Sequence, residues 1–229
     1  RGPYKGVEDA ASARRGDRVS LHDTIVHGGW VVTAQSVRCL DIAIDAGRIS
    51  ALEPAIARPA RTRIPAEGLY VFPGLIDVHV HLNEPGRTHW EGFASGTRAL
   101  AAGGVTCFFD MPLNSSPPVV EPAALAAKLE RAAAASLVDF GLWGGLVPGK
   151  LEHLEAMARM GVVGFKAFMC SSGIDESPAS DDKTLYQGMH VAARLGLVVA
   201  VHAESEAITS ALSKQAIAEG RVAACDYLA

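Results

Sequence analysis

The chain has 229 residues, of which 49% are hydrophobic, and its formal net charge at pH 7 is -4. This composition is typical of a globular protein with a substantial core, and it offers neither a basic surface for nucleic acid nor a polybasic patch for a membrane. The four cysteines form no CxxC pair and no apolar run reaches the roughly 18 residues of a membrane span, which argues against a disulfide framework, a thiolate zinc site and a membrane protein. We therefore expect small-molecule chemistry in a reducing, cytoplasmic compartment.

The first part of the chain is predicted to be a short lead-in followed by β-structure. Residues 1–21 are polar, show no apolar periodicity and are predicted to be a flexible lead-in. Residues 22–70 contain short β-like runs and an Asp-Ala-Gly-Arg turn at 45–48, which is typical of a hairpin. This segment is predicted to form a small antiparallel β unit. The β-like runs lie at 24–26, 30–33, 41–44 and 49–52.

Residues 71–229 alternate between apolar strand-like runs and helical patterns. Strands that are buried on both faces and separated by helices are typical of parallel βα units. Strands are predicted at 71–81, 105–111, 137–147, 162–169 and 197–203. Helices are predicted at 90–102, 121–135, 150–161, 181–196 and 204–220. The predicted fold class is therefore α/β, with about five βα units.

Five βα units fit either a doubly wound sheet or part of an eight-stranded barrel. A doubly wound dinucleotide-binding sheet needs G-x-G-x-x-G after its first strand, whereas residues 81–87 read HLNEPGR. In a barrel, the C-terminal ends of several strands converge on one site. His79 and His81 close the first predicted strand, Lys166 lies late in the fourth, and His202 closes the fifth. These positions favour a partial (β/α)8 TIM-like barrel, with about five of the eight units.

The apolar run 73–81 ends with two histidines one residue apart. Side chains at i and i+2 of a strand leave the same face, so His79 and His81 are expected to point together. Two convergent imidazoles suit one transition-metal ion. A lone His-x-His pair also occurs as ordinary sheet residues, so the prediction depends on the other two positions.

Lys166 lies in the apolar run 162–169, which would remove water from its ammonium group and lower its pKa. A neutral amine can capture carbon dioxide as a carbamate, whose two oxygens can bridge two metal ions. The negative charge would offset the repulsion between two dications about 3.5–4 Å apart. Taken singly, Lys166 is more often an ion-paired lysine and His202 a core histidine. Together with His79 and His81 they predict a metal centre.

Other polar residues are assigned simpler roles. Asp77 and Asp110 are predicted either to orient metal ligands or to accept backbone hydrogen bonds. Cys107 and Cys170 are predicted to be buried thiols rather than nucleophiles. The remaining histidines are predicted to be surface residues: His22, His27, His89, His153 and His190.

The chain contains PGLIDVHVH at 73–81, EPG at 84–86, AGGVT at 102–106 and DMP at 110–112. These motifs resemble those of the cyclic amidohydrolases of the metal-dependent amidohydrolase superfamily, and the resemblance extends over residues 22–220. Two further segments are MPLNSSPP at 111–118 and FKAFMCSSGI at 165–174. Within that group, these two segments are most similar to the allantoinases.

The resemblance implies a (β/α)8 barrel flanked by a small β-sandwich that begins with the strands of residues 22–70. It implies a binuclear centre in which His79 and His81 hold the more buried divalent ion, Lys166 bridges as N6-carboxylysine formed with carbon dioxide, and His202 binds the second ion. Zinc is the expected metal, although iron, cobalt and manganese accept the same donors. A further histidine ligand and a general acid–base aspartate are expected beyond the C-terminus. The resemblance also implies a homo-oligomer, specifically a homotetramer.

The reaction implied by the resemblance is hydrolysis of the cyclic amide of allantoin to allantoate, a step of purine and ureide catabolism. Asn83 and Asn114 are predicted substrate contacts because an amide can both donate and accept hydrogen bonds to a ureide, although asparagine also stabilises turns.

Three alternatives stay open. Dihydroorotases of similar pattern carry arginine where this chain has Asn83, and that arginine grips a carboxylate. Dihydropyrimidinases and hydantoinases differ in the loop that follows the histidine pair. A non-catalytic scaffold, such as the collapsin response mediator proteins, loses metal ligands, and the four retained ligands argue against it.

Five strands cannot close a barrel of eight. Residues 71–229 are therefore predicted to be the first part of a truncated hydrolase barrel. We expect the full-length protein to be active and this chain alone to be inactive.

Overall fold

The computed structural model describes residues 21–228. The predicted lead-in at 1–21 lies, except for Leu21, outside the described residues. The chain divides into two compact units between Pro73 and Gly74. Within residues 21–228, no helix combines the length and the apolar character needed to cross a bilayer.

The N-terminal unit is a five-stranded sheet. Its strands are β1 (His22–Val32), β2 (Val37–Asp45), β3 (Arg48–Glu53), β4 (Ala60–Pro65) and β5 (Tyr70–Val71). The order β3-β2-β1-β4 places β1 inside the sheet, and β5 pairs with the end of β1. β1, β2 and β3 are antiparallel neighbours, as predicted, but β4 and β5 run parallel to β1. The prediction of an antiparallel unit is therefore wrong for β4 and β5, because the chain crosses over after β3 instead of making a further hairpin.

The two runs predicted at 24–26 and 30–33 belong to one strand. The register of β1 against β2 shifts between Val26 and Gly29, and Gly28 there has a φ of 74°, which glycine adopts at little cost. The prediction that His22 lies on the surface is wrong. His22 is buried in β1, and its Nδ1 lies 2.7 Å from Asp45 Oδ2.

The C-terminal unit consists of parallel strands separated by helices, so the α/β class is confirmed. The strands are β6 (Leu75–Val80), β7 (Val105–Asp110), β8 (Asp139–Leu142), β9 (Gly144–Gly145), β10 (Gly164–Phe168) and β11 (Val198–His202). The helices are α1 (Phe93–Ala102), α2 (Pro122–Ala135), α3 (Leu154–Arg159), α4 (Asp182–Arg194) and α5 (Glu206–Ala218). Short 3₁₀ turns cover Leu151–His153 and Ala224–Leu228.

The strand order of this unit follows the chain order. β6, β7 and β8 form one parallel sheet, and β9, β10 and β11 form another. The strand predicted at 137–147 is therefore two short strands on either side of Trp143. It divides because β8 pairs with β7, whereas β9 pairs with β10.

Burial differs between inner and outer strands. β10 is almost entirely buried and lies in the main core with Leu125, Leu146, Leu154 and Met157. The expectation of burial on both faces is wrong for β6 and β11, which each pair on one side only among the described residues. Large apolar side chains of these two strands are exposed: Leu75, Ile76, Val78 and Val198.

Local sequence accounts for how the helices begin. α2 starts with Pro122, whose missing N–H costs nothing in the first turn of a helix. α4 starts after Asp181, whose side chain accepts a hydrogen bond of 2.7 Å from the Thr184 N–H. These residues at the helix starts determine where the loops that follow the C-terminal ends of the strands come to an end.

Candidate metal centre

The two histidines at the end of β6 converge as predicted. The Nε2 atoms of His79 and His81 lie 3.2 Å apart, and their ring centroids lie 5.2 Å apart. This separation allows a hydrogen bond between the rings. It also matches the distance of about 3.3 Å between two nitrogen ligands that each lie about 2.0–2.1 Å from a tetrahedral ion. The donor set and its geometry therefore fit a divalent metal ion.

An irregularity in β6 presents these rings. Between Asp77 and Val80, β6 advances three residues while β7 advances two, so the ladder is interrupted at residues 78 and 79. The His79 N–H donates instead to Asp77 Oδ1, at 3.1 Å. The Val78 carbonyl accepts from the Trp143 indole nitrogen, at 3.2 Å. Two side chains thus replace the backbone partners that this stretch of β6 lacks.

Replacing Trp143 with phenylalanine is expected to loosen this stretch of β6. The aromatic ring stays, but the Val78 carbonyl loses its donor, and the loss of one partly buried hydrogen bond costs about 0.5–1.5 kcal/mol. Denaturant unfolding of the full-length protein should show a loss in that range, together with weaker cobalt binding. Trp90→Phe is the matched control, because Trp90 is exposed and stacks on Arg87. Equal stability and equal cobalt affinity of the two variants would contradict this role of Trp143.

His81 lies in an environment that disfavours its protonated form. Burial lowers the pKa of His81, and the positive charges of His79, Lys128 and Lys166 lower it further. The Leu113 backbone acts in the opposite direction through a hydrogen bond with the imidazole. A histidine that donates one ring N–H to a carbonyl presents the lone pair of its other nitrogen to a metal. Leu113 was not singled out from the sequence, because a backbone acceptor leaves no pattern in the side chains.

Lys166 is buried, as its apolar neighbours predict. It is 7% exposed, and burial lowers its pKa. Its Nζ lies 5.0 Å from the centroid of the Phe168 ring, and no carboxylate within residues 21–228 pairs with it. The positive charge of Lys166 also contributes to the lowered pKa of His81. Lys166 is thus a desolvated amine without an anionic partner in this part of the chain.

His202 lies opposite Phe168 on the neighbouring strand. Its ring stacks on Phe168 with a centroid separation of 5.1 Å and an interplanar angle of 13°. Its Nε2 lies 3.1 Å from Glu204 Oε1, and the Cys170 Sγ lies 3.7 Å from Glu204 Oε2. The possible ligand atoms of Cys170, His202 and Glu204 all lie within 4.8 Å of one another. Phe168 therefore has Lys166 and His202 as neighbours, and Glu204 is a further donor that the sequence analysis did not assign.

The two asparagines occupy different environments. Asn114 lies beside the histidine pair, with its Nδ2 3.4 Å from His81 Nδ1, and its carbonyl accepts from Arg87 at 3.1 Å. Asn114 has a φ of 68°, a left-handed conformation that asparagine tolerates better than most residues. Asn83 is 7% exposed, and its Oδ1 has no hydrogen-bond partner among the described residues. A buried orphan acceptor of this kind needs a donor from outside those residues.

A buried ion pair lies next to these loops, and the sequence analysis found only half of it. Asp110 Oδ2 lies 2.5 Å from Lys128 Nζ, and both side chains are fully buried. Burial raises the pKa of Asp110 to about 6, against the attraction of Lys128, and burial lowers the pKa of Lys128. The signal for Lys128 was its place between Ala124 and Ala132, at a spacing of four residues on the buried side of α2.

The chain is similar to curated proteins named allantoinase. It is 57% identical over 208 residues to the allantoinase of Solibacter usitatus, an alignment that covers 91% of this chain and 45% of that protein. It is 53% identical over 206 residues to the allantoinase of Deinococcus radiodurans, covering 90% of this chain and 46% of that protein. The chain thus spans about half the length of these curated relatives.

The fold resembles solved structures of hydantoinases. An L-hydantoinase (dihydropyrimidinase) from Arthrobacter aurescens superposes with a TM-score of 0.82 at 33% identity, covering 87% of this chain and 45% of that one. A D-hydantoinase superposes with a TM-score of 0.76 at 32% identity, covering 88% of this chain and 44% of that one.

A family profile described as "Amidohydrolase family" matches residues 70–225, which include His79, His81, Lys166 and His202. This match covers more than half of the chain and all the strands and α-helices of its C-terminal unit, from β6 to α5. The chain belongs to the amidohydrolase family.

Proposed function

We propose that the full-length protein hydrolyses the cyclic amide of allantoin to allantoate. We base this on the 57% identity to an allantoinase over most of the chain, combined with the convergence of His79 and His81 at the end of β6. The hydantoinase structures, at 33% and 32% identity, are a competing comparison.

For the fold, we propose that residues 71–229 are the first part of a (β/α)8 TIM-like barrel and that residues 22–70 begin a β-sandwich. The support is the parallel strand order, which follows the chain without the reversal of a doubly wound sheet. Homotetrameric assembly and a cytoplasmic location stay predictions from the sequence.

For the metal centre, we propose His79, His81, Lys166 and His202 as ligands of two divalent ions, with zinc expected. The neutral Lys166 amine attacks carbon dioxide, so that an N–C bond forms and one proton leaves, which gives an anionic carbamate. Desolvation of Lys166 supports this step, because it favours the neutral amine over the ammonium ion. Bound divalent ions supply Lewis acidity, which lowers the pKa of water and polarises a carbonyl.

For substrate binding, we propose Asn83 and Asn114. The unpaired Oδ1 of Asn83 can accept a hydrogen bond from a ureide N–H. The Asn114 amide beside His81 can donate a hydrogen bond to the ring of allantoin or accept one from it. Neither residue carries charge. Both therefore suit allantoin, which has no carboxylate, better than dihydroorotate, which has one.

A substrate panel tests the proposal. The full-length protein, loaded with zinc, should turn over allantoin with a kcat/KM at least about a hundredfold above that for dihydroorotate, hydantoin or dihydrouracil, because selective sites commonly separate analogues by that factor or more. Preferred turnover of hydantoin or dihydrouracil would overturn the allantoin assignment in favour of a hydantoinase. No turnover of any of the four by a metal-loaded, folded protein would favour a non-catalytic scaffold.

A further inference from the structure

The buried pair of Asp110 and Lys128 lies near the C-terminal ends of β6 and β7. His81 directly follows β6, and Asn114 lies in the loop that follows β7. Asp110 is the last residue of β7, and Lys128 reaches it from the middle of α2. Their charged atoms are 2.5 Å apart, and both side chains are completely buried. Nothing in the proposed reaction requires these two residues to touch the substrate.

The second carboxylate oxygen of Asp110 holds the residue that follows His81. Asp110 Oδ1 accepts a hydrogen bond of 2.6 Å from the Leu82 N–H. The Leu82 side chain is itself buried in a cluster with Phe93 and Phe108. The hydrogen bond to Asp110 and the packing of the Leu82 side chain therefore both fix the peptide group between His81 and Leu82. This restricts where the His81 ring can point.

Lys128 holds the loop that follows β7, residues 111–115. Its Nζ also donates to the Met111 carbonyl at 3.1 Å and to Ser115 Oγ at 3.4 Å. These contacts bracket Leu113 and Asn114, the two residues whose backbone and side chain face the His81 ring. Lys128 thus links the loop that follows β7, residues 111–115, to the Asp110 carboxylate. That carboxylate in turn holds the Leu82 N–H, next to His81.

We propose that Asp110 and Lys128 form a positioning pair that holds His81 and its partners Leu113 and Asn114 in the geometry that binds metal. This role rests on the proposed function of His81 as a ligand. Asp110 acts through the Leu82 N–H, and Lys128 acts by orienting Asp110 and the 111–115 loop. Neither residue touches metal or substrate.

The physical argument concerns the cost of such a pair. Burying two charges is expensive, and apolar residues of similar size often stabilise a protein equally well, whereas loss of one partner leaves an unpaired buried charge. Stability alone therefore does not require this pair. Its contacts to the two loops around His81 are what an apolar replacement could not reproduce.

The test compares two double variants of the full-length protein that lack the charges of both Asp110 and Lys128. D110N/K128M keeps a side-chain oxygen that accepts from the Leu82 N–H, whereas D110L/K128M has the same shape without an acceptor. E121Q/K150M removes a half-exposed ion pair of 2.7 Å at the start of α2 and is the matched control. Cobalt(II) alone is the probe, read by its visible absorption spectrum and by calorimetric affinity, with thermal melting to verify folding.

We expect D110L/K128M to fold and to lose about 10–100-fold in cobalt affinity, which is the usual cost of losing the partner that orients a metal ligand. D110N/K128M should lose clearly less, and E121Q/K150M should bind like the wild type. A folded D110L/K128M with wild-type cobalt affinity and spectrum would overturn the positioning role. A wild-type protein that binds no cobalt would instead overturn the proposed metal centre itself, and the role of the pair with it.

A second measurement does not depend on whether the variants fold. In the wild-type protein without metal, hydrogen–deuterium exchange of the Leu82 amide should be slow, because Asp110 holds it in the absence of an ion. Rapid exchange at Leu82 in an otherwise protected protein would overturn the proposal.

Discussion

Replacing either histidine of the β6 pair with asparagine is expected to remove most of the activity of the full-length protein. The Nε2 atoms of His79 and His81 lie 3.2 Å apart, so the loss of one leaves a single imidazole at the proposed pair of ligands. Bound metal ions stabilise the transition state of a hydrolysis of this kind by several kcal/mol. A loss of about 4 kcal/mol of that stabilisation lowers kcat/KM by about a thousandfold.

The measurement pairs allantoin turnover with metal content by elemental analysis. H79N and H81N should both be folded, depleted of metal and slow, even with excess zinc in the assay. H190N is the control, because His190 is exposed on α4, where its ring contacts Tyr186. If H79N and H81N keep both a full complement of metal and wild-type turnover, these histidines are not ligands.

Replacing Lys166 is the second large effect, and its expected pattern separates a carbamate from a simple positive charge. Lys166→Arg keeps a cation that does not become neutral at ordinary pH, and Lys166→Ala leaves room for a small carboxylic acid. Both variants should lose activity by a factor of about a thousand, the same several kcal/mol as loss of a metal ion. Only Lys166→Ala should recover activity when acetate or propionate is added.

Two controls complete this experiment. Lys150→Met removes a lysine that pairs with Glu121 near the surface, and it should leave turnover unchanged. Wild-type protein prepared with carbon-13 bicarbonate should show a carbamate resonance that Lys166→Arg lacks. Wild-type turnover by Lys166→Arg would exclude a carbamate at this position, whatever the metal content.

The contrast between the two buried lysines explains why only one is proposed to react with carbon dioxide. Burial lowers the pKa of both Lys128 and Lys166. Lys128 has a carboxylate at 2.5 Å, which holds its proton, whereas Lys166 lies 5.0 Å from the centroid of the Phe168 ring and has no carboxylate partner within residues 21–228. An unpaired, desolvated amine is the more available nucleophile. Sequence neighbours alone do not separate these cases, because the partner of Lys128 lies 18 residues away (128 - 110 = 18).

Some features of the centre could be read from short stretches of sequence. The i, i+2 spacing of His79 and His81 places two rings on one side of a strand, and the structure brings them together despite the irregularity at residues 78 and 79. The alternation of strand and helix follows from local periodicity, so the α/β class was predictable. Burial of Lys166 followed from the apolar run around it, because a central parallel strand is covered on both faces.

What the sequence by itself determined is thus the set of elements and the chemistry at their ends, because helix and strand periods and side-chain spacing are local properties. Only the tertiary structure decided which distant residues meet. The Trp143 indole that completes β6, the Lys128 ammonium behind Asp110, the parallel pairing of β4 with β1, and the division of the predicted strand at Trp143 each depend on contacts between separate segments. Such contacts are set by how whole elements pack and pair, and no short window of sequence contains both partners.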